Sequence, residues 1–176
     1  MRKLTTIAGV TTLAVASVIC GIAPAAHAKT GDLNCSGGEA HITLTPGNTF
    51  ADQAQNATIT GTFGSCSSKS DPTLTGGTFT VTGAGNGSCI GPTVIKYTMN
   101  IQWQDATHDT SVAEGTDQAT YSTLGSAEGS TIVAGKFKGD TGNWSGTRTT
   151  PLMEAAAECF IGLKQIDFTL DTTYLN

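Results

Sequence analysis

The sequence predicts an all-β domain, folded as an antiparallel β-sandwich of the immunoglobulin-like or jelly-roll-like type and held by two disulfides. Three observations lead to this prediction. Apolar residues recur at every second position in several segments, glycine-rich turns separate those segments, and four cysteines follow the N-terminal apolar run. Many short strands at turn-marked intervals are typical of packed antiparallel sheets rather than of a parallel sheet with crossover helices.

The clearest predicted strand spans residues 94–103, where apolar residues from Ile95 to Trp103 alternate with polar ones. Side chains of a strand point alternately to its two faces, so this pattern predicts one buried and one solvated face. A helix would scatter the same apolar residues around its circumference. Shorter segments with similar patterning predict strands at 40–45, 57–63, 78–82, 118–124, 131–138, 143–149 and 165–170.

Two segments between these strands carry other signals. Asn86 and Gly87 form the pair most favoured in tight hairpin turns, so a turn is predicted there. Residues 152–158, directly after Pro151, are good helix formers and predict either a short helix or a loop.

The N-terminus has the pattern of a secretory signal peptide. Arg2 and Lys3 precede a mostly apolar run, and Ala26, His27 and Ala28 form the A-x-A pattern that signal peptidase cuts after. The run is shorter and richer in threonine than the ~20 apolar residues that a membrane span needs. We therefore expect residues 1–28 to be removed on export and residues 29–176 to form one secreted, extracellular domain without a membrane span.

Four cysteines remain in the expected mature chain: Cys35, Cys66, Cys89 and Cys159. An even number of cysteines in an exported domain indicates disulfides, whereas a zinc site is disfavoured because no C-x-x-C pair occurs. Four cysteines allow three pairings, and the sequence does not choose among them. We prefer Cys35–Cys66, which would join neighbouring strands, and Cys89–Cys159, which would tie the middle of the chain to its end.

Charge argues against a polyanionic partner. Loss of the signal peptide lowers the number of Lys and Arg from 9 to 7 against 14 Asp and Glu, which leaves a net charge of −7. An acidic domain repels phosphate backbones, so we expect no nucleic acid partner.

The sequence contains no recognisable catalytic signature. A Ser-His-Asp triad would need His41 or His108 buried beside an acid and a nucleophile, and His108 lies in a polar segment that is interpreted as a loop. Ser145 stands one place too late for the G-x-S-x-G nucleophile elbow. We therefore expect the protein not to be an enzyme and to need no cofactor.

An acidic segment is a weak candidate for a metal site. Asp105, Asp109, Glu114 and Asp117 lie close together, but they lack the residue order of a calcium-binding loop. We interpret the segment as a solvated acidic loop and expect no metal.

The two tryptophans differ in their surroundings. Trp103 continues the apolar alternation of its strand, which predicts a core position. Trp144 is flanked by Asn143 and Ser145 after a turn, so it is the candidate ligand platform, an exposed ring on which a sugar could stack.

Turn and cysteine motifs recur in one order along the chain. They are Cys35, the run 61–66, the run 74–77, the run 85–89, the run 135–140, Pro151-Leu152 and Cys159. In this order the chain resembles a group of uncharacterised, Gly/Thr-rich, four-cysteine secreted proteins of actinobacteria. The resemblance implies an exported, disulfide-bonded β domain and implies no activity.

These observations together favour a non-enzymatic extracellular protein that binds an unidentified ligand or surface. One alternative is a carrier of a small apolar ligand, by analogy with acidic, two-disulfide chromoprotein apoproteins of actinomycetes. The other is a secreted protease inhibitor, whose inhibitory loop would be residues 64–70, braced by a disulfide at Cys66.

The first prediction concerns export and oxidation. Protein recovered from culture medium should have a denatured mass that begins at Lys29 and is lighter by the four thiol hydrogens lost on forming two disulfides. Mass spectrometry before and after reduction measures both quantities. Retention of residues 1–28, or four free thiols, would contradict it.

Overall fold

The chain folds into strands that run up and down in sequence order. The structure is a computed structural model that describes residues 32–119 and 126–176, and each strand pairs antiparallel with the next. A helix, α1, lies between the last two strands and covers Leu152–Glu158. The strands are β1 (Leu33–Asn48), β2 (Gln53–Ser68), β3 (Gly76–Gly87), β4 (Thr93–Gln104), β5 (Thr110–Ala119), β6 (Ser126–Gly135), β7 (Thr141–Arg148) and β8 (Leu163–Leu175).

The sheet closes on itself because β1 pairs with both β2 and β8. Ile42 of β1 lies opposite Ile59 of β2 on one side and Ile166 of β8 on the other. The prediction of an all-β antiparallel domain with two disulfides is confirmed, but the predicted sandwich is wrong: the eight strands form a barrel. Alternation shows that one face of each strand is buried. It does not show whether that face meets a second sheet or the opposite wall of the same sheet.

The strands are longer than their sequence patterns indicate. β5 begins at Thr110, inside the segment interpreted as an acidic loop. The strand predicted at 118–124 overlaps β5 at 118–119, and its remaining residues lie outside the described ranges. The turn predicted at Asn86 and Gly87 is also wrong, because both residues lie in β3 and pair with β2. A Cβ on Gly87 would lie 2.5 Å from Oγ1 of Thr93, so close packing explains this glycine better than a turn does.

The predicted helix-or-loop segment is a helix, and the two disulfides have the preferred pairing. Cys35–Cys66 joins directly opposed residues of β1 and β2. Cys89–Cys159 joins the loop after β3 to the residue that follows α1. In the chain-entropy model, each bond stabilises the fold by about 4 kcal/mol.

The barrel has two distinct ends. At one end, here called the helix end, lie α1, residues 88–92 and the Cys89–Cys159 bond. At the other, here called the lysine end, lie the loops 69–75, 105–109 and 136–140.

An aromatic cluster fills the interior at the lysine end. Trp103, 1% exposed, stacks on Phe63 with ring centroids 5.6 Å apart and meets Phe137 edge-on at 5.4 Å. Phe79 also packs against Phe63, with ring centroids 4.7 Å apart. The indole N–H of Trp103 donates to the hydroxyl of Ser111 at 2.9 Å, so its polar atom is satisfied. This aromatic plug closes the barrel at the lysine end.

Lys136 ties together three loops of the lysine end. Its ammonium group donates to Asp105 at 2.5 Å, to Asp109 at 3.2 Å and to Asp71. Burial opposes the charged form of Lys136, but the hydrogen bonds to the carboxylates outweigh it and raise the pKa of the lysine. The hydrogen bond from Lys136 lowers the pKa of Asp105 to about 2 and also lowers the pKa of Asp71.

The acidic segment predicted to be a solvated loop is therefore partly loop and partly strand. Asp105 and Asp109 bind Lys136, whereas Glu114 and Asp117 belong to β5. The four acidic residues lie close together in sequence because the loop runs directly into β5. The charge pattern alone does not show where the strand begins.

The predicted signal peptide, residues 1–28, lies outside the described residues, and its removal stays a prediction. Within the described ranges, no helix has the length and apolar character needed to cross a membrane.

The second prediction concerns pH. The folded pKa values of Asp71 and Asp105 lie below the ordinary 3.8, so these two carboxylates contribute their full share of the free energy of unfolding above that pH. This contribution is lost as pH falls towards about 2, the folded pKa of Asp105. Lys136→Met should thus lower the unfolding midpoint at pH 7, and the gap from wild type should narrow between about pH 4 and 2.

Urea unfolding at several pH values measures this gap. Lys138→Met removes an exposed lysine two positions along the same loop and should have little effect at any pH. A pH-independent gap for Lys136→Met would show that the ion pairs do not carry its effect.

Candidate binding cavity

The barrel interior contains unfilled space between the aromatic plug and the helix end. A cavity of about 80 Å³ lies towards the helix end, and a second of about 50 Å³ adjoins the plug. Both are lined mainly by apolar side chains, and the residues common to both are Ile42, Ile59, Val81, Met99 and Trp144. These shared side chains place the two cavities next to each other in the barrel interior.

A small residue of β2 leaves room for the larger cavity. Ala57 lines the cavity and pairs with Gly83 of β3. A Cβ on Gly83 would lie 2.5 Å from Cγ2 of Ile95, so close packing with β4 accounts for this glycine. Eight strands give an interior just wide enough for side chains to fill or for one small ligand to occupy. A short side chain such as that of Ala57 therefore leaves part of the interior unfilled.

Tyr97 and Asp117 place polar atoms in the wall of the larger cavity. The Tyr97 ring passes over Gly115, where a Cβ would lie 2.6 Å from the phenol oxygen. Burial raises the pKa of Tyr97, and the nearby Asp117 charge adds to the effect. Burial likewise raises the pKa of Asp117. The wall is thus apolar with a polar sector near the helix end.

Trp144, the predicted ligand platform, is half-buried and lines both cavities. Its ring meets Phe168 edge-on at 6.5 Å. The polar neighbours Asn143 and Ser145 do not make the Trp144 ring exposed, because adjacent residues of a strand face opposite sides of the sheet. Ser145, for example, is hydrogen-bonded to the Thr172 hydroxyl on the outer surface. The structure therefore places the indole against the interior cavity, not on an exposed sugar-stacking surface.

Neither histidine of the described ranges lines the cavities. His41 pairs with Asp167 on the outer face of the barrel, Nδ1 to Oδ1 at 2.7 Å, and this hydrogen bond raises the pKa of His41. His108 lies in the loop before β5, where its carbonyl oxygen accepts from the Gln102 amide. Across residues 32–119 and 126–176, no group of three or more His, Cys, Asp or Glu is arranged to hold a metal ion.

The segment considered as an inhibitory loop is mostly strand. Residues 64–68 belong to β2, which pairs with β1 and is also joined to it by the Cys35–Cys66 disulfide. Only Lys69 and Ser70 therefore lie in a loop. Asp32 anchors that loop by accepting from the Ser70 amide at 2.9 Å. No long projecting loop is available there within the described residues.

Exposed apolar side chains are concentrated in segments of the helix end, a feature that the sequence analysis missed. Phe50 and Phe160 meet edge-on with centroids 4.9 Å apart, although Phe160 is 79% exposed. Ile90 and Phe160 directly follow the cysteines of one disulfide, so the sequence pattern resembles that of a core. The helix-end apolar residues are Phe50, Ile90, Met153, Phe160 and Ile161.

Comparisons with protein-family models, with curated proteins and with solved structures give no match. The resemblance to secreted actinobacterial proteins stays a prediction. The function must be argued from the cavity itself.

The third prediction tests the position of Trp144. Because the indole packs inside the barrel, Trp144→Ala should destabilise the fold by about 2–4 kcal/mol. Tyr174→Ala, which removes an exposed ring from the adjacent β8, should change stability by roughly 0.5 kcal/mol or less. Denaturant unfolding measures both. Equal, small effects would indicate that the Trp144 ring is on the surface.

Proposed function

We propose that this protein is a carrier, in the extracellular space, of a small and largely apolar ligand held inside the barrel. The observation that carries the proposal is the pair of adjoining apolar cavities of about 80 and 50 Å³, which together approach the ~150 Å³ of a cavity that binds one benzene molecule. Concave, preformed and mostly apolar sites with a few polar groups are typical of small-molecule binding. Closed eight-stranded barrels are well suited to hold such a ligand.

Met99 gives the site room to adapt. It lies between the two cavities, and its unbranched side chain can change rotamer at little cost. Displacement of this side chain would join the spaces into one site that ends at the aromatic plug. A ligand longer than the larger cavity could then be accommodated without opening the strand ladder.

A second candidate is binding to an extracellular surface, which the sequence favoured first. The observation in its favour is the set of helix-end apolar residues, because exposed apolar patches mark interaction sites in many proteins. It ranks second because the cavity defines a ligand class, whereas the exposed residues define no particular partner.

The fourth prediction fills the cavity. Ala57→Leu places a larger apolar side chain in the cavity wall and should weaken binding of an apolar probe such as ethylbenzene about tenfold, equivalent to ~1.4 kcal/mol. Thr58→Leu is the matched control, because Thr58 is the next residue of β2 and faces solvent. Calorimetric titration of the three proteins measures the affinities.

Equal loss of affinity in both variants would place the probe outside the barrel. A wild-type protein that binds no apolar probe, and that shows no additional mass in native spectra after secretion, would contradict the carrier function. Binding to an extracellular surface through the helix-end apolar residues would then be the better-supported function.

A further inference from the structure

A buried amide without a partner lies at the helix end of the barrel interior. Gln55 is 2% exposed, and neither its Nε2 nor its Oε1 has a hydrogen-bond partner among the described residues. It shares the inward-facing side of β2 with Ala57, which lines the larger cavity, and lies one inward position nearer the helix end. Its neighbour in β3 is Gly85, so no side chain across the ladder competes for the amide.

A second unpaired acceptor lies close by. Asn48, at the end of β1, is 5% exposed, lines the larger cavity, and has no partner for its Oδ1. The ladder between β1 and β2 is paired as far as Thr45 and Asn56, so Gln55 is the next residue of β2, and Asn48 lies three residues beyond Thr45 in β1. Asn48 lines the larger cavity and Gln55 lies just outside its lining, so a group that reaches Gln55 extends past the cavity towards the helix end. Nearly all buried polar groups in folded proteins are hydrogen-bonded, so two orphaned amides at the same end of the interior indicate partners from outside the chain.

The atoms define what such a partner must offer. Oδ1 of Asn48 and Oε1 of Gln55 accept hydrogen bonds, whereas Nε2 of Gln55 donates. A matching group must therefore both donate and accept. The Asp117 carboxyl lines the same cavity, and its charge would repel an anionic group placed there. A hydroxyl or a carboxamide meets these requirements, and a carboxylate or phosphate does not.

We infer that the carried ligand has an uncharged hydrogen-bonding head group, a hydroxyl or a carboxamide, which binds Gln55 and Asn48 while its apolar body extends towards Trp144. This inference rests on the proposed carrier function and specifies its ligand class. It orients the ligand, with its polar end at the helix end and its apolar end towards the aromatic plug.

The fifth prediction compares two probes of similar shape. Benzyl alcohol and ethylbenzene differ by a hydroxyl in place of a methyl group, so the ratio of their affinities isolates the head-group contacts. Gln55→Met should lower the affinity for benzyl alcohol about tenfold relative to that for ethylbenzene. It should also raise the thermal midpoint of the ligand-free protein, because an unsatisfied amide is replaced by an apolar side chain. Asn56→Met, an exposed amide on the opposite face of β2, should change neither quantity.

The outcomes separate the two proposals. If the wild-type protein binds neither probe, the carrier function itself fails. If it binds both and the affinity ratio is unchanged in Gln55→Met, the carrier function stands and the head-group inference is overturned. Tighter binding of benzoate than of benzyl alcohol would also overturn the uncharged head group. A lower thermal midpoint for ligand-free Gln55→Met would show that the amide is satisfied without a ligand.

Discussion

The pairing of β1 with β8 is the constraint on which the rest of the structure depends. Without it, the strands would form an open meander, and the row that includes Ile42, Ile59 and Ile166 would be exposed on one side of a curved sheet. With it, the same row converges on one axis and becomes a common core. β1 and β8 are the first and last strands described, so this contact joins residues that are far apart in the sequence. It determines the environment of every inward-facing residue.

Because the barrel is closed, the volume of each inward-facing side chain determines how much of the interior stays unfilled. Large aromatic residues around Trp103 fill the interior at the lysine end, and short side chains such as that of Ala57 leave it less filled towards the helix end. The apolar periodicity is the same in both regions. The difference between a filled core and an interior cavity is therefore made by side-chain volume at a given level of the barrel, and the backbone pattern is unchanged.

Some of this could be predicted from the sequence and some could not. Alternation from Ile95 to Trp103 identifies β4 and its buried face because period two is a local property of one strand. The barrel could not be distinguished from a sandwich, since closure depends on a contact between residues far apart in the chain. Trp144 was placed on the surface because its polar neighbours were taken as its environment, although they belong to the other face. Gln55 attracted no notice because a lone glutamine among polar residues carries no signal until its burial is known.

The two ends of the barrel differ in how their charged and amide groups are paired, and this contrast supports the proposed position of the ligand. At the lysine end, the Lys136 ammonium group is matched by three carboxylates, and the indole N–H of Trp103 has its own acceptor. At the helix end, Asn48 and Gln55 are buried with unpaired amide atoms. Thr173 Oγ1, in the wall of the second cavity, is likewise buried without a partner among the described residues. The unpaired atoms thus lie in or near the unfilled part of the interior, where the proposed ligand would supply hydrogen-bond partners.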